Sequence, residues 1–179
     1  MSDSPTPSSE AAPSRSATDP IRVLFVCMGN ICRSPLAEGH FLHLLEEEGL
    51  ADRFEIDSAG TGPWHVGEAP DARMRSTARG RGLNLNDLRA RQVQRRDLYA
   101  YDHVFVMDKT NLHDTLALDP DGDHGTRVRL YREFDPTPET YQVPDPYKGG
   151  RKGFENVYDI VERTNRAILD RFKEIYDLG

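Results

Sequence analysis

Apolar side chains recur along the chain with two different periods, and the period changes where glycine and proline interrupt it. Ile21–Val26 is a short apolar run rich in β-branched residues, the pattern of a parallel strand buried on both faces. Leu36, His40, Phe41, Leu44 and Leu45 then fall on one helical stripe that reaches about Glu48, where Gly49 stops it. Ser34-Pro35 reads as the opening of that helix, with serine as N-cap and proline at the first helical position. Phe54–Ser58 predicts a second strand, and Ala59–Pro70 a glycine-bearing loop with the sole tryptophan, Trp64. Asp71–Arg81 reads as a helix stopping at Gly82, and Arg95–Tyr99 as a short one. His103–Met107 and Arg127–Tyr131 predict the third and fourth strands, with a helix at Asn111–Leu118 between them. Phe134–Gly150 is a long loop with four prolines. Gly153–Tyr176 closes the chain as an amphipathic helix, with Phe154, Val157, Tyr158, Val161, Ile168, Phe172, Ile175 and Tyr176 on or near one face.

Strand and helix in alternation predict an α/β fold. The expected architecture is a single domain with a four-stranded parallel sheet, right-handed crossovers and helices on both faces. Ligands in such sheets bind at the carboxyl ends of the strands. The loop after the first strand, Cys27–Arg33, lies at that edge. Residues 1–20 break the pattern: twelve of the twenty are Ser, Thr or Pro, and the only apolar side chains are Met1 and three alanines. Such a segment buries too little apolar area to offset its ordering entropy. The predicted organisation is therefore a disordered tail over 1–20 and one domain over 21–179.

Composition narrows the function. The chain has 179 residues, 37% hydrophobic and 30% charged, which suits one domain with room for a tail. Its longest apolar run, Val23–Met28, has six residues, against the ~20 a membrane span needs, so no span is expected. The first residues lack the basic start and apolar centre of a signal peptide. A cytoplasmic location is expected, with secretion by a non-classical route left open. A net charge of −7 argues against a whole-surface nucleic-acid binder. Two cysteines, five apart, make neither a disulfide framework nor a Cys-only zinc site. His40 and His43 find no evident third ligand. Asp119-x-Asp121-x-Asp123 has His124 and Leu130 where a calcium loop needs glycine and glutamate, so no metal is expected. Residues 71–97 hold eight arginines and three aspartates. A solvated face is the ordinary reading of such a block; the other is a positive rim that steers phosphorylated, acidic substrates.

The chemistry concentrates in Cys27-Met28-Gly29-Asn30-Ile31-Cys32-Arg33-Ser34-Pro35. A cysteine six residues before an arginine is weak evidence alone. Its placement between a strand and a helix start strengthens it. Successive backbone N–H groups in such a turn form an anion nest, and the helix N-terminus adds partial positive charge. Gly29 suits a tight turn, and Asn30 tolerates a left-handed conformation. Arg33 can hold two oxygens of an oxyanion at once. Helix N-termini and nearby cations lower cysteine pKa values to ~3.5–7.5, so a thiolate is expected at Cys27. A thiolate beneath a dianion cradle is placed to attack phosphorus, with the Ser34 hydroxyl available to donate to it. The plainer reading is an inert buried cysteine and a capping serine.

Val26 to Glu38, VCMGNICRSPLAE, resembles the active-site loop of low-molecular-weight protein tyrosine phosphatases. Four more segments match that family in order: Asp57-Ser58-Ala59-Gly60-Thr61; Ala90-Arg91-Gln92; Val106-Met107-Asp108 with Asn111-Leu112; and Val143-Pro144-Asp145-Pro146-Tyr147, followed by Phe154-Glu155 and Val157-Tyr158. The resemblance covers about residues 21–176. It implies a cofactor-free hydrolase of tyrosine-phosphorylated proteins, through a phosphocysteine on Cys27. Arg33 and the amides of Met28, Gly29, Asn30, Ile31, Cys32 and Ser34 would hold the phosphate. Asp145 would be the general acid, and then the base on water. Trp64 and Tyr147 would wall the pocket, Asn30 and Ser58 would support the loop, and Cys32 would be a redox partner for Cys27. Two departures stand out. Leu88 occupies the place where many members carry a histidine that buttresses the loop, and Lys148 stands where some have a second tyrosine. The alternatives on the same fold are an arsenate reductase, disfavoured by the lack of a remote cysteine, and a protein-arginine phosphatase, disfavoured by Ile31 and Trp64. The oligomeric state stays open.

Overall fold

The computed structural model describes residues 18–147 and 149–179. Nearly all of the expected tail, residues 1–17, and Lys148 lie outside the described residues. Four strands, β1 (Ile21–Cys27), β2 (Phe54–Gly60), β3 (His103–Val106) and β4 (Val128–Leu130), form one sheet. Its order is β2-β1-β3-β4, and every pairing is parallel. Five helices connect and cover it: α1 (Arg33–Glu47), α2 (Ala72–Arg79), α3 (Asp97–Ala100), α4 (Lys109–Leu116) and α5 (Arg151–Ile175).

The two-residue period of β1 explains the layering. Val23, Phe25 and Cys27 point into one core with α1 and α5. Leu24 and Val26 point into the other, with Leu98 of α3, Val104, Val106 and Val128, and with Leu112 and Leu116 of α4 packed against them. Both faces are covered, so β1 reads as an unbroken apolar run instead of alternating with polar residues. The first core is aromatic: Phe25, Phe41, Phe54, Phe105, Tyr131 and Phe172 meet ring to ring.

The predicted elements are present, with shifted ends. The helix expected from Asn111 starts at Lys109, because Asp108 caps it by accepting from the Asn111 amide at 2.8 Å. Asp71 caps α2 in the same way, through the Arg73 amide. Gly49 and Gly82 both have positive φ where the chain leaves α1 and α2.

The chain passes from β1 to β2 on one side and returns to β3 on the other. The strand order therefore reverses between β1 and β3, and a crevice opens at their carboxyl ends. Cys27 is the last residue of β1, and Asp108 follows β3 by two residues.

Candidate active site

Residues 28–32 leave β1 as a loop whose backbone is held from outside. The carbonyls of Cys27, Met28 and Ile31 accept from the amides of Thr61, Gly62 and Asp71 at 2.9, 3.0 and 2.8 Å. In a trans peptide the C=O and N–H point in opposite directions. The amides of Met28, Gly29 and Cys32 are therefore turned to the concave side, which makes an anion nest. Asn30 takes the left-handed conformation anticipated for it, with φ of 57°. Gly29 has no positive φ; its value lies in size, since an added Cβ would come within 3.1 Å of the His65 ring.

Cys27 is 3% exposed. Its sulfur accepts from the Asn30 amide at 3.3 Å and lies 3.0 Å from Ser34 Oγ. Ser34 is not the N-cap its residue type suggests. α1 begins at Arg33, and its N-cap, Cys32, makes no side-chain bond. The Ser34 hydroxyl instead accepts from Asn30 Nδ2 at 2.8 Å, which leaves its own hydrogen for the thiol or for the more distant Ala59 carbonyl at 3.4 Å.

Asn30 is the hub of the support. Its Nδ2 also donates to Ser58 Oγ at 2.9 Å, and its Oδ1 accepts from the Arg91 amide at 3.0 Å. Ser58 donates in turn to Glu38 Oε1 at 2.6 Å. Sequence reasoning anticipated Asn30 and Ser58 and missed Glu38, although it ends the quoted VCMGNICRSPLAE segment. Leu88 does not enter this network; it packs on the first core. Support at that corner comes from the Arg91 backbone and from Glu38. Arg91 itself is clamped by Asp57 and Asp97. Gly60 is a packing requirement: a Cβ there would sit 2.7 Å from the Met28 carbonyl oxygen.

Burial raises the Glu38 carboxyl from an ordinary 4.5 to about 7; the Ser58 hydrogen bond lowers it, Asp57 raises it and Arg91 lowers it. Between those values the folded protein holds a proton that the unfolded chain has released. Glu38 therefore contributes least destabilisation below about pH 4.5, and stability falls as pH rises through 7. Glu38→Gln keeps an acceptor for Ser58 and removes the titration. Urea unfolding at several pH values should show that the wild type loses up to about 3 kcal/mol relative to Glu38→Gln across that window. Parallel profiles for the two proteins would show that Glu38 titrates normally.

Arg33, the first residue of α1, is 3% exposed. Its Nη1 donates to Asp108 Oδ2 at 2.8 Å and to the Val143 carbonyl at 2.9 Å. Burial alone would lower its pKa, but Cys27 and Asp108 outweigh that and raise it. Asp108 thus serves two elements, capping α4 and pairing with Arg33 across the β1/β3 crevice. Asn111, three residues on, marks Asp108 as a cap in the sequence, but nothing local marks its pairing with Arg33. Asp145, 118 residues after Cys27, places Oδ2 3.8 Å from Arg33 Nη2. Its Oδ1 accepts from the Tyr147 amide at 3.0 Å.

A cavity of about 290 Å³ opens above the sulfur. Cys27, Met28, Gly29, Ile31, Cys32 and Arg33 form its floor, and Trp64, His65, Asp145 and Tyr147 its sides. Trp64 is 66% exposed and Tyr147 43%, so neither is a core residue. The Trp64 ring lies over Gly62, where any side chain would collide with it. His65, which sequence reasoning passed over, faces Tyr147 with ring centroids 6.2 Å apart and pairs with Glu68. Cys32 is buried, and burial, then Asp71 and Cys27, push its thiol pKa up. Both cysteines are free.

Four of the eight arginines of the block form ion pairs. Arg73 pairs with Asp71, Arg81 with Glu155 and Asp159, Arg91 with Asp57 and Asp97, and Arg95 with Asp119. A larger cavity, about 540 Å³ between α2 and α5, is lined by residues that include Arg73, Arg81, Arg151, Phe154 and Glu155, and neither cysteine reaches it. His40 is buried against Asn165, and His43 pairs with Glu47. No helix among the described residues is long and apolar enough to cross a membrane.

Comparison with known proteins agrees with this geometry. Residues 22–176 match the family described as low molecular weight phosphotyrosine protein phosphatase. The chain is 42% identical over 155 residues to a low molecular weight protein-tyrosine-phosphatase of Streptomyces coelicolor, covering 86% of this chain and 94% of that one. A crystal structure of a protein tyrosine phosphatase from Entamoeba histolytica superposes with a TM-score of 0.81 at 36% identity, over 86% of this chain and 97% of the other. A Drosophila arginine phosphatase superposes at 0.76 with 33% identity, over 86% and 98%. The chain belongs to the low-molecular-weight phosphotyrosine protein phosphatase family.

Proposed function

We propose that the protein hydrolyses phosphotyrosine in protein substrates by double displacement through Cys27. The observation that carries this reading is the meeting of Cys27, Arg33 and Asp145 in one cavity with the inward amides of Met28, Gly29 and Cys32. The phosphate dianion sits in that nest, with the free edge of the Arg33 guanidinium across two of its oxygens. The Cys27 thiolate attacks phosphorus, the S–P bond forms and the P–O bond to the ring breaks. Asp145 gives its proton to the leaving phenolate, whose conjugate acid has a pKa of ~10. Asp145, now ionised, takes a proton from water as that water attacks the phosphocysteine. Inorganic phosphate leaves, and Cys27 is restored with Ser34 and the Asn30 amide stabilising the departing sulfur. The cycle balances without a cofactor. Peroxide would convert the same thiolate to a sulfenic acid, which the Cys32 thiol traps as a disulfide with loss of water.

The test is a side-by-side assay of the purified protein on phosphotyrosine, phosphoserine, phosphoarginine and arsenate. Turnover of phosphotyrosine well above the others is expected. Preferred phosphoarginine or arsenate turnover would move the protein to another activity on this fold. Selectivity follows from depth: a tyrosine ring reaches the sulfur between Trp64 and Tyr147, whereas the single methylene of serine does not. An aromatic contact contributes ~0.5–1.5 kcal/mol beyond area burial. Trp64→Ala should therefore raise KM for aryl phosphates by roughly 2- to 13-fold, and leave inhibition by inorganic phosphate nearly unchanged. Equal weakening of both would mean that Trp64 supports the cradle.

A further inference from the structure

Arg132 lies far from the sulfur in sequence, does not line the cavity, and is only 2% exposed. A buried guanidinium is costly unless its donors are well used. Here Nη2 has no hydrogen-bond partner and only a longer ion pair, 3.7 Å from the exposed Glu139 Oε1, so two hydrogen bonds do most to hold the residue. Its Nε donates to Asp135 Oδ2 at 2.9 Å and its Nη1 to the Gln142 carbonyl at 2.9 Å. Those acceptors stand at the two ends of the proline-bearing loop that leads to Asp145. Arg163 of α5 holds the same Asp135 through Nε and Nη2 at 2.9 and 3.1 Å. One guanidinium thus closes the loop across its base, and α5 anchors the closure.

The end held by Arg132 is the end that matters for chemistry. The Gln142 side chain accepts from the Lys109 amide at 3.0 Å, Val143 N donates to the Met107 carbonyl at 2.8 Å, and Val143 O accepts from Arg33. Asp145 follows two residues later, between Pro144 and Pro146. Proline fixes its own φ and restricts the residue before it, so displacement at Gln142 passes to Asp145 with little slack. We propose that Arg132 is a positioning residue for Asp145: by tying the Gln142 carbonyl to Asp135 it aims the carboxyl group at the leaving oxygen. The proposal rests on the acid role given to Asp145 above. Arg33 is also held by Asp108, so the phosphate cradle leans on the clamped segment only through the Val143 carbonyl.

The experiment measures kcat/KM for aryl phosphates with leaving groups from acidic to basic phenols, in the wild type, Arg132→Ala, Arg132→Lys, Asp145→Ala and the double variant Arg132→Lys/Asp145→Ala. Inhibition by inorganic phosphate is measured beside it. kcat/KM reports the phosphoryl transfer to Cys27, the step that needs the proton. A small misplacement of a reacting group costs up to about a hundredfold. Arg132→Lys, which keeps a cation for Asp135, should therefore lose about ten- to a hundredfold on the most basic phenols. It should lose no more than about threefold on the most acidic ones, where the acid matters little. Inhibition by phosphate should stay within about twofold, and the double variant should be no slower than Asp145→Ala, as for residues acting as one unit. Arg132→Ala should show the same pattern, more strongly; if it does not fold, Arg132→Lys decides alone. Equal losses across the series, or weakened phosphate binding, would overturn the proposal and make Arg132 a general support of the fold. If Asp145→Ala itself leaves the leaving-group dependence unchanged, the acid assignment falls and takes the clamp's role with it. If only the Arg132 variants do so, the clamp falls alone.

Discussion

Cys27→Ser is expected to reduce turnover to the uncatalysed background while phosphate still binds. Binding and bond-making are carried by different atoms here. The cradle consists of loop amides fixed from outside by Thr61, Gly62 and Asp71, together with an arginine fixed by Asp108. None of these contacts uses the sulfur. A serine hydroxyl fits the space, but with a far higher pKa it offers no anion for attack at neutral pH. Titration calorimetry with inorganic phosphate, beside an activity assay on an aryl phosphate, separates the two. Retained activity in the serine variant would remove the covalent mechanism. Loss of both activity and binding would mean that the sulfur's contacts with the Asn30 amide and Ser34 hold the loop in shape.

Asp145→Ala is the second large effect, and its size should depend on the substrate. General acids contribute ~10²–10⁴-fold, chiefly where the leaving group is basic. A phenol of ordinary pKa should expose the full loss in kcat/KM, and a strongly acidic phenol very little. The hydrolysis of the phosphocysteine slows as well, since the same carboxylate activates the water. With the acidic phenol, rapid release of the first equivalent should then be followed by a slow steady rate. Rapid-quench measurement of that burst checks the assignment. A uniform loss across leaving groups with no burst would make Asp145 a structural residue, held only by the Tyr147 amide and the Arg33 charge.

What could be read from the sequence was local. The nucleophile, the turn that cradles phosphate and the arginine lie within seven consecutive residues, Cys27 to Arg33. Their strand-loop-helix setting follows from hydrophobic period alone. The two-faced burial of β1 made the parallel sheet legible for the same reason. Contacts that join distant segments left no such trace. Arg33 to Asp108, Ser58 to Glu38 and Arg132 to Gln142 depend on where the sheet and loops bring the chain back, and no spacing rule encodes that. Ser34 was misread because a serine before a proline favours a cap locally, while the sulfur and Asn30 compete for its hydroxyl only in the assembled fold. The choice between a solvated face and a positive rim at the arginine block could not be made locally, because four of its acidic partners, Asp57, Asp119, Glu155 and Asp159, lie outside it in sequence.

Division of the site between the two flanks of the β1/β3 crevice has a consequence for biosynthesis. Everything contributed by β1 and α1 is encoded before residue 40, whereas Asp108, Val143 and Asp145 come from the later part of the chain. At a translation rate of about 5–20 residues per second, Cys27 leaves the ribosome roughly 6–24 s before Asp145. For most of that interval the nascent chain carries the thiol and the arginine without the Asp108 counter-ion, and for all of it without the acid that completes the centre. Reactivity therefore arrives only once Asp145 has emerged, with β3 docked beside β1 and the proline-flanked loop closed over it. An incomplete chain released before that point exposes a cysteine with no catalytic apparatus around it.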